Sequence, residues 1–532
     1  MAERIYLYDS TLRVGAQARG VDFQVADKIA IAGVLDKLGL DYIEGGFPGA
    51  NPVDDAFFRA APKFSRAKLS AFGMTRRAGR SADNDPGLTD LLSTTAGAIC
   101  LVGKAWDAQV EKALEVSLDE NLAMITDSLT RVAKANREAI FDAEHCFDGY
   151  KANPDYTLKV LQAAFAAGAR WIVLCDTNGG TLPHEIEEIV GAITKHIPGE
   201  KLGIHCHDDT GNAVANSLAA VRAGVRQVQG TINGVGERCG NANLVSLIPT
   251  LVLKMGFETS LAKADLPKLA QASRFLDDKL NRASNPHAPY VGSAAFAHKG
   301  GLHASAVAKD SSFYEHVDPA SVGNQRQVLI SDKAGKTNVL TRLADLGMAI
   351  PSDHPRLAEL VALVKERESQ GYAYEGADAS FALLAKRLLD YVPEYFKVIS
   401  YRVIDESRFD AKGAQHSLSE ASIKVDLSGD IIMTVAEGNG PVNALDRALR
   451  KSLSRDYPQL KDVRLVDYKV RILNSGDGTR AVTRVMIESM DGEGRSWNTV
   501  GVSANILDAS FLALHDSLVT CLLESEAGRK AA

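Results

Sequence analysis

Short apolar runs alternate with longer segments of helical apolar spacing through the first half of the chain. The runs are IYLY (5–8), YIEGG (42–46), LSAFG (69–73), AICLVG (98–103), AIFDAEH (139–145), WIVLCDT (171–177), LGIHCHDD (202–209) and VQGTINGVG (228–236). Each is rich in Val, Ile or Leu and ends in polar residues or glycine, as a strand with both faces buried should. Between them, stretches such as 28–38 and 185–196 carry apolar residues at helical intervals. Strand–helix units repeated roughly every 25 to 45 residues predict an α/β fold closed as a (β/α)8 TIM barrel over residues 1–280. A doubly wound open sheet is the runner-up. It would want a glycine fingerprint after its first strand, and the segment there reads DSTLRVGAQ.

The rhythm changes twice more. Residues 281–395 begin loop-rich, with FAHKGGLHASAVAKDSSFYEHVDP, and continue as helices interrupted by Pro351 and Pro355. They are expected to form a helical linker region. Residues 396–532 show alternating strand patterns (FKVISYRVI, ASIKVDLSG, DIIMTVAEG, VRLVDYKVRIL, TRVMIESM, SWNTVGVS) and two helical patterns, 442–453 and 505–523. This predicts a separate α+β domain made of two similar βαβ-type units.

Composition narrows the class. At 532 residues the chain is too long for one core. Its formal net charge of -7 offers no basic field for nucleic acid or an anionic membrane. The cluster Arg76, Arg77 and Arg80 reads as solvated loop charge. The N-terminus enters an apolar strand almost at once, and no run of about 18 apolar residues stands out, so a cytoplasmic location is expected. The six cysteines show no CxxC pairing and read as reduced thiols.

In a barrel of this kind the reactive groups stand at the C-terminal strand ends. Arg13, Glu44, Glu144, Asp176, Thr177, His205, His207 and Asn233 all fall there. GIHCHDD is the sharpest local signal. Strand alternation turns His205 and His207 to one face, into the barrel mouth, and Cys206 to the other. The pair can share a divalent metal, or can be two hydrogen-bonded core histidines. In NGVGERCGNANL, Gly234, Gly236 and Gly240 permit a tight loop over the mouth, and Asn241 is a neutral oxygen ligand suited to Mg²⁺, Mn²⁺ or Zn²⁺. A plain Gly/Asn turn fits the same residues. Arg13 can clamp a carboxylate or steady an oxyanion. Glu144, ending an apolar strand, would be partly desolvated and suited to acid/base work, or paired with a neighbouring cation. Thr177 can donate to a carboxylate or cap its strand.

The ordered set DSTLR-x-G-x-Q, EGGFPGANP, AEHCFDGYKANP, LCDTNGGTLP, GIHCHDDTGNAVANS, TINGVGERCGNANL, FAHKGGLHASAV and AEGNGPVNALDRALR resembles the isopropylmalate/citramalate/homocitrate synthase family over nearly the whole chain. EGGFPGANP, AEHCFDGYKANP and GNGPVNALD look most like its citramalate branch. The resemblance implies a metal-dependent Claisen-type condensation of acetyl-CoA with a 2-oxoacid, pyruvate in that branch. It implies His205, His207 and Asn241 as metal ligands. Arg13 would stabilise the alkoxide, Thr177 would hold the substrate carboxylate, and Glu144 would serve substrate binding and acid/base steps. His205 would also touch substrate. His303 and Tyr314 match family residues that reach the site from the linker, from a partner subunit of a homodimer. The C-terminal domain resembles the family's amino-acid-binding regulatory domain, with isoleucine as the inhibitor expected in the citramalate branch.

Two departures stand out. The family reads TLRDG, with the aspartate a metal ligand, and this chain has Val14 there. The family reads HxHND, and this chain has Asp208 in place of the asparagine. The same-class rivals are isopropylmalate and homocitrate synthase, which differ in the 2-oxoacid. A metal-dependent lyase or a biotin-linked carboxyltransferase on a related barrel is a second class. A non-catalytic amino-acid sensor that has lost its metal is a third, kept open by Val14.

Overall fold

The computed structural model describes residues 3–61, 63–280, 282–298, 300–328, 336–348, 350–389, 392–409, 415–473 and 481–531. Two compact units emerge, one of residues 1–296 with 315–326 and one of 297–314 with 327–532.

The first unit is a closed barrel of eight parallel strands in chain order: β1 (Tyr6–Asp9), β2 (Tyr42–Glu44), β3 (Lys68–Met74), β4 (Ala98–Lys104), β5 (Glu138–Glu144), β6 (Trp171–Asp176), β7 (Leu202–Cys206) and β8 (Gln227–Gly230). β8 closes on β1 through Leu7↔Val228 and Asp9↔Gly230. All eight apolar runs of the sequence are strands. Their continuous hydrophobicity follows from burial on two faces. The outward set, with Leu7, Ile99, Phe141, Leu174 and Ile204, packs under the surrounding helices. The inward set, with Tyr8, Tyr42, Cys100, Ile140, Trp171 and Val173, fills the barrel.

Local sequence starts several of the helices. Asn51, Asp85 and Asn153 each stand before a proline and accept a backbone N–H from the third residue on: Asp54, Leu88 and Tyr156. The side chain satisfies an orphan donor, and the proline at the first helical position gives up an N–H that would have no partner. One charge expectation fails. Arg76 is 5% exposed, with its Nε on Asp127 at 2.9 Å and Nη1 on Glu120 at 2.8 Å. It ties the β3 end to the helix Leu118–Lys134, and sequence spacing could not show that partnership.

In the second unit, β9 (Ala297–His298) pairs in parallel with β10 (Gln327–Val328). The helices Lys336–Asp345, Leu357–Ser369 and Asp378–Leu388 follow. Then come two antiparallel three-stranded sheets: β11 (Lys397–Phe409), β12 (Gln415–Leu427) and β13 (Asp430–Gly438); and β14 (Arg464–Ile472), β15 (Thr483–Met490) and β16 (Ser496–Ser503). A helix follows each sheet, Pro441–Leu453 and Ile506–Ala531. The repeat is therefore βββα, and the βαβ expectation is corrected. Neighbouring strands here run antiparallel, whereas a βαβ unit needs a crossover between parallel strands. The expectation of no long apolar stretch is corrected too. Ile506–Ser525 is long and apolar enough to cross a membrane by length and composition. Its apolar side chains Ala509, Ala513, Leu514, Leu518 and Leu522 are buried within this unit, against partners that include Val485, Ile487 and Trp497 of the adjacent sheet.

The outer strand–helix layer should carry most of the barrel's stability. Leu174→Ala, which empties a fully buried outward position of β6, is expected to cost about 2–5 kcal/mol. Chemical denaturation measures it, and a loss below about 1 kcal/mol would contradict this placement.

Candidate active site

The C-terminal mouth of the barrel gathers polar groups because alternate residues on every strand must face inward. On β7, Leu202, Ile204 and Cys206 belong to the outer layer. His205 therefore faces in, and His207, just past the strand end, lies on the same side, with ring centroids 5.3 Å apart. Both rings are buried. Burial, and then the charge of neighbouring cationic groups, lowers His205 to about 3 and His207 to about 4, so both are neutral near pH 7.

The loop after β8 folds back onto β7. Ala242 N donates to Cys206 O at 3.0 Å, Asp208 N donates to Gly240 O at 2.9 Å, and His207 bridges Asn241. Asn241 Nδ2 then lies 3.0 Å from His205 Nε2. A Cβ on Gly236 would collide with Asn241 Oδ1, and Gly240 has φ +99, so the loop's glycines permit this close approach. Arg238 latches the loop. Its Nε and Nη2 hold Asp209 at 2.8 Å each, and Nη2 also reaches Thr177 O at 2.7 Å. Arg238 and His145 both have left-handed backbone, φ 56 and φ 57, a strained state that tends to mark functional loops.

Arg13 stands over the Phe72 ring, 3.7 Å from its centroid, with Nε on Glu44 Oε2 at 2.6 Å. Glu44 is fully buried and also accepts the Tyr8 hydroxyl at 2.9 Å. Burial works against the Arg13 charge, but the Glu44 carboxylate outweighs it and holds the guanidinium above its ordinary value. No described residue takes its Nη groups, which leaves them for an anionic ligand. Two further carboxyls are buried nearby. Asp142 is raised to about 7 by burial and by Glu44. Asp9 is raised to about 7 by burial, against two hydrogen bonds from Thr11.

Of the residues singled out by sequence, Arg13, Glu44, Thr177, His205, His207 and Asn241 come together at this mouth. Thr177 Oγ1 accepts from His145 N at 2.8 Å, so its own proton remains free to donate. Glu144 lies at the mouth but is paired with Lys104, its register partner on β4. Of the two settings open to it, the structure gives the second, a glutamate paired with a neighbouring cation. Asp176 and Asn233 do not join the site. Asp176 accepts from Thr181 and Asn216, and Asn233 bonds Ser273 and Asp277 of the outer helix Lys268–Lys279. Asp208 caps the helix Ala213–Arg222 through Ala213 N. Val14 is 1% exposed and offers no donor. His303 and Tyr314 belong to the second unit, where their rings stack at 4.3 Å.

Sequence reasoning missed Asp142, Gln229, Arg238, His145 and Lys104. Period-two polarity was the available signal for the first two. Asp142 sits two residues before Glu144, and Gln227 two before Gln229, inside otherwise apolar runs. Arg238 and His145 act through loop geometry that no spacing announces.

Comparison with known proteins bears on what such a mouth does. Residues 4–276 match the HMGL-like family model, 290–371 the homocitrate synthase post-HMGL domain-like model, and 375–522 the LeuA allosteric (dimerisation) domain. The (R)-citramalate synthase of Geobacter sulfurreducens is 52% identical over 98% of both chains, and that of Aquifex aeolicus 49% identical over 99% of both. The chain belongs to the (R)-citramalate synthase family. The 2-isopropylmalate synthase of Dictyoglomus turgidum stands further off, 29% identical over 96% of this chain and 97% of its own. Members of the family are metal-dependent, acetyl-CoA-using condensing enzymes.

The mouth fits a divalent ion in its donor chemistry. His207 Nδ1 and Asn241 Oδ1 are buried and have no hydrogen-bond partner among the described residues. A buried acceptor without a partner is costly, and coordination would relieve two at once. The set is neutral throughout, two imidazoles and one amide, so the anionic charge that a divalent ion favours must come from elsewhere.

Cutting the Arg238 latch should free the loop without touching the barrel. Arg238→Ala is expected to speed amide exchange over residues 236–242 and leave the strands β1–β8 as protected as before. Unchanged exchange in that loop, followed by mass spectrometry, would show that the glycine-rich turn holds itself.

Proposed function

We propose that the chain condenses acetyl-CoA with pyruvate and water to give citramalate, free CoA and a proton. The match to citramalate synthases over 98–99% of both chains carries this reading. His205, His207 and Asn241 would hold a divalent metal such as Mg²⁺, Mn²⁺ or Zn²⁺. When bound there, the metal supplies Lewis-acid polarisation of the 2-oxoacid ketone.

The chain's own side chains account for the rest. Arg13 meets Glu44 through Nε, which leaves its Nη groups for the oxygen that gains charge as the new carbon–carbon bond forms. Glu44 and Phe72 fix its plane, so little reorganisation is needed during the reaction. Thr177 donates its hydroxyl proton to the substrate carboxylate. Glu144, held beside Lys104, serves substrate binding and acid/base steps. His303 and Tyr314 complete the site from the linker of a partner subunit. The match to an allosteric dimerisation domain supports a homodimer, as do the exposed apolar residues Ile431, Met433 and Val435 on β13 and Val470 and Ile472 on β14. The same domain is the expected binding place of a feedback amino acid, isoleucine.

Val14 favours a second reading, a regulatory chain whose metal site has lost its anionic ligand. The two readings differ in rate and in metal binding. With free CoA followed by a thiol reagent, pyruvate should give a higher kcat/KM than 2-oxoisovalerate or 2-oxoglutarate. A preference for 2-oxoisovalerate would make the chain an isopropylmalate synthase, and no CoA release with any 2-oxoacid would favour the sensor.

Val14→Asp should raise Mn²⁺ affinity in the absence of pyruvate by about tenfold or more. In the natural protein pyruvate itself supplies the anionic oxygens, so metal and 2-oxoacid should bind with strong mutual dependence. Equal Mn²⁺ affinity of the two proteins without pyruvate, read by electron paramagnetic resonance, would show that another carboxylate already fills that place.

A further inference from the structure

A buried polar chain runs across the barrel interior to His205. Asp142 on β5, Gln229 on β8 and His205 on β7 are 4%, 0% and 5% exposed. Gln229 Nε2 donates to Asp142 Oδ1 at 3.3 Å, and Gln229 Oε1 faces His205 Nδ1 at 2.9 Å. The Cys100 thiol donates to Asp142 as well, so the carboxyl is an acceptor toward both neighbours.

The chemistry of these groups propagates in one direction. An amide has a donor end and an acceptor end, and Asp142 Oδ1, which faces it, is an acceptor both in the carboxylate and as the carbonyl oxygen of the neutral acid. Asp142 therefore fixes the NH₂ of Gln229 toward itself and turns the oxygen toward His205. That oxygen can be satisfied only by an N–H, so Nδ1 carries the ring proton and Nε2 keeps a lone pair. Nε2 is the nitrogen on the mouth side, 3.0 Å from Asn241 Nδ2. With the amide reversed, its NH₂ would meet Nδ1, the ring proton would move to Nε2, and the lone pair would point into the barrel.

We propose that Asp142, acting through Gln229, is a positioning residue that selects the Nδ1–H tautomer of His205 and so aims the Nε2 lone pair at the mouth. The proposal rests on the metal-site reading for its consequence, because a partner on the far ring nitrogen orients a metal-binding imidazole. The tautomer itself is a property of the metal-free protein. This selection runs against the preference of histidine in water, which favours the proton on Nε2, so a dedicated partner is needed.

The test begins with the metal-free native protein labelled with nitrogen-15 histidine. A long-range proton–nitrogen correlation at neutral pH reports which ring nitrogen is protonated, and the His205 signals are those missing from His205→Asn. The expected pattern is Nδ1–H. A native His205 protonated on Nε2 overturns the proposal before any other variant is made. Gln229→Leu should switch the ring to Nε2–H and weaken Mn²⁺ binding, measured in the presence of pyruvate, by about tenfold or more. The exchange Asp142→Asn with Gln229→Glu keeps an acceptor opposite Nδ1. It should restore the tautomer, and Mn²⁺ affinity to within about threefold of native. Native Mn²⁺ affinity in Gln229→Leu, or an exchanged pair that binds as weakly as Gln229→Leu, would overturn the proposal. If the native protein releases no CoA with pyruvate, the condensation reading fails while the tautomer result still stands by itself.

Discussion

Closing eight strands into a barrel leaves every second side chain facing a space without bulk water, and the groups placed there must satisfy one another. That constraint orders the mouth of this protein. Tyr8, Glu44 and Ser70 share hydrogen bonds, Arg13 is held by Glu44 and Phe72, and Asp142 is joined to Cys100 and Gln229, which in turn meets His205. An unpaired buried polar group is expensive, so each partner limits the orientation of the next. The outward half of the same strands is plain apolar core. One alternation thus separates stability, carried by residues such as Leu174 and Ile204, from chemistry, carried by Glu44, Asp142 and His205.

The charges of the mouth are arranged by pairing more than by exposure. Arg13 stays cationic because Glu44 offsets its burial, yet its Nη groups remain available. The histidines are held neutral by the same dry surroundings, the state in which an imidazole can be a ligand. The strained loop residues His145 and Arg238 set the edges of this space, and the glycines at 236 and 240 let Asn241 approach the histidines.

Beyond the barrel, the second unit repeats a βββα plan. Both of its long helices bury an apolar face on a sheet, and β13 and β14 leave apolar side chains exposed on the surface. A long apolar helix such as Ile506–Ala531 has two explanations from composition alone, a membrane span or the core of a small sheet domain. Its packing within its own unit accounts for its apolarity.

The sequence by itself determined the eight barrel strands, because burial on two faces writes each as a continuous apolar run. It also determined the inward direction of His205 and the outward direction of Cys206, because strand alternation has a period of two. Tertiary structure decided everything that depends on partners far apart in the chain. Glu144 and Lys104 meet across β5 and β4, and Arg76 leaves solvent for Glu120 and Asp127. Asn233, a strand-end residue by sequence, turns to an outer helix. Asp142 and Gln229 lie 87 positions apart yet share a hydrogen bond. The βββα repeat of the second unit is hidden in the sequence for the same reason. Strand patterns show where strands are, and only turn geometry and pairing decide whether neighbours run antiparallel.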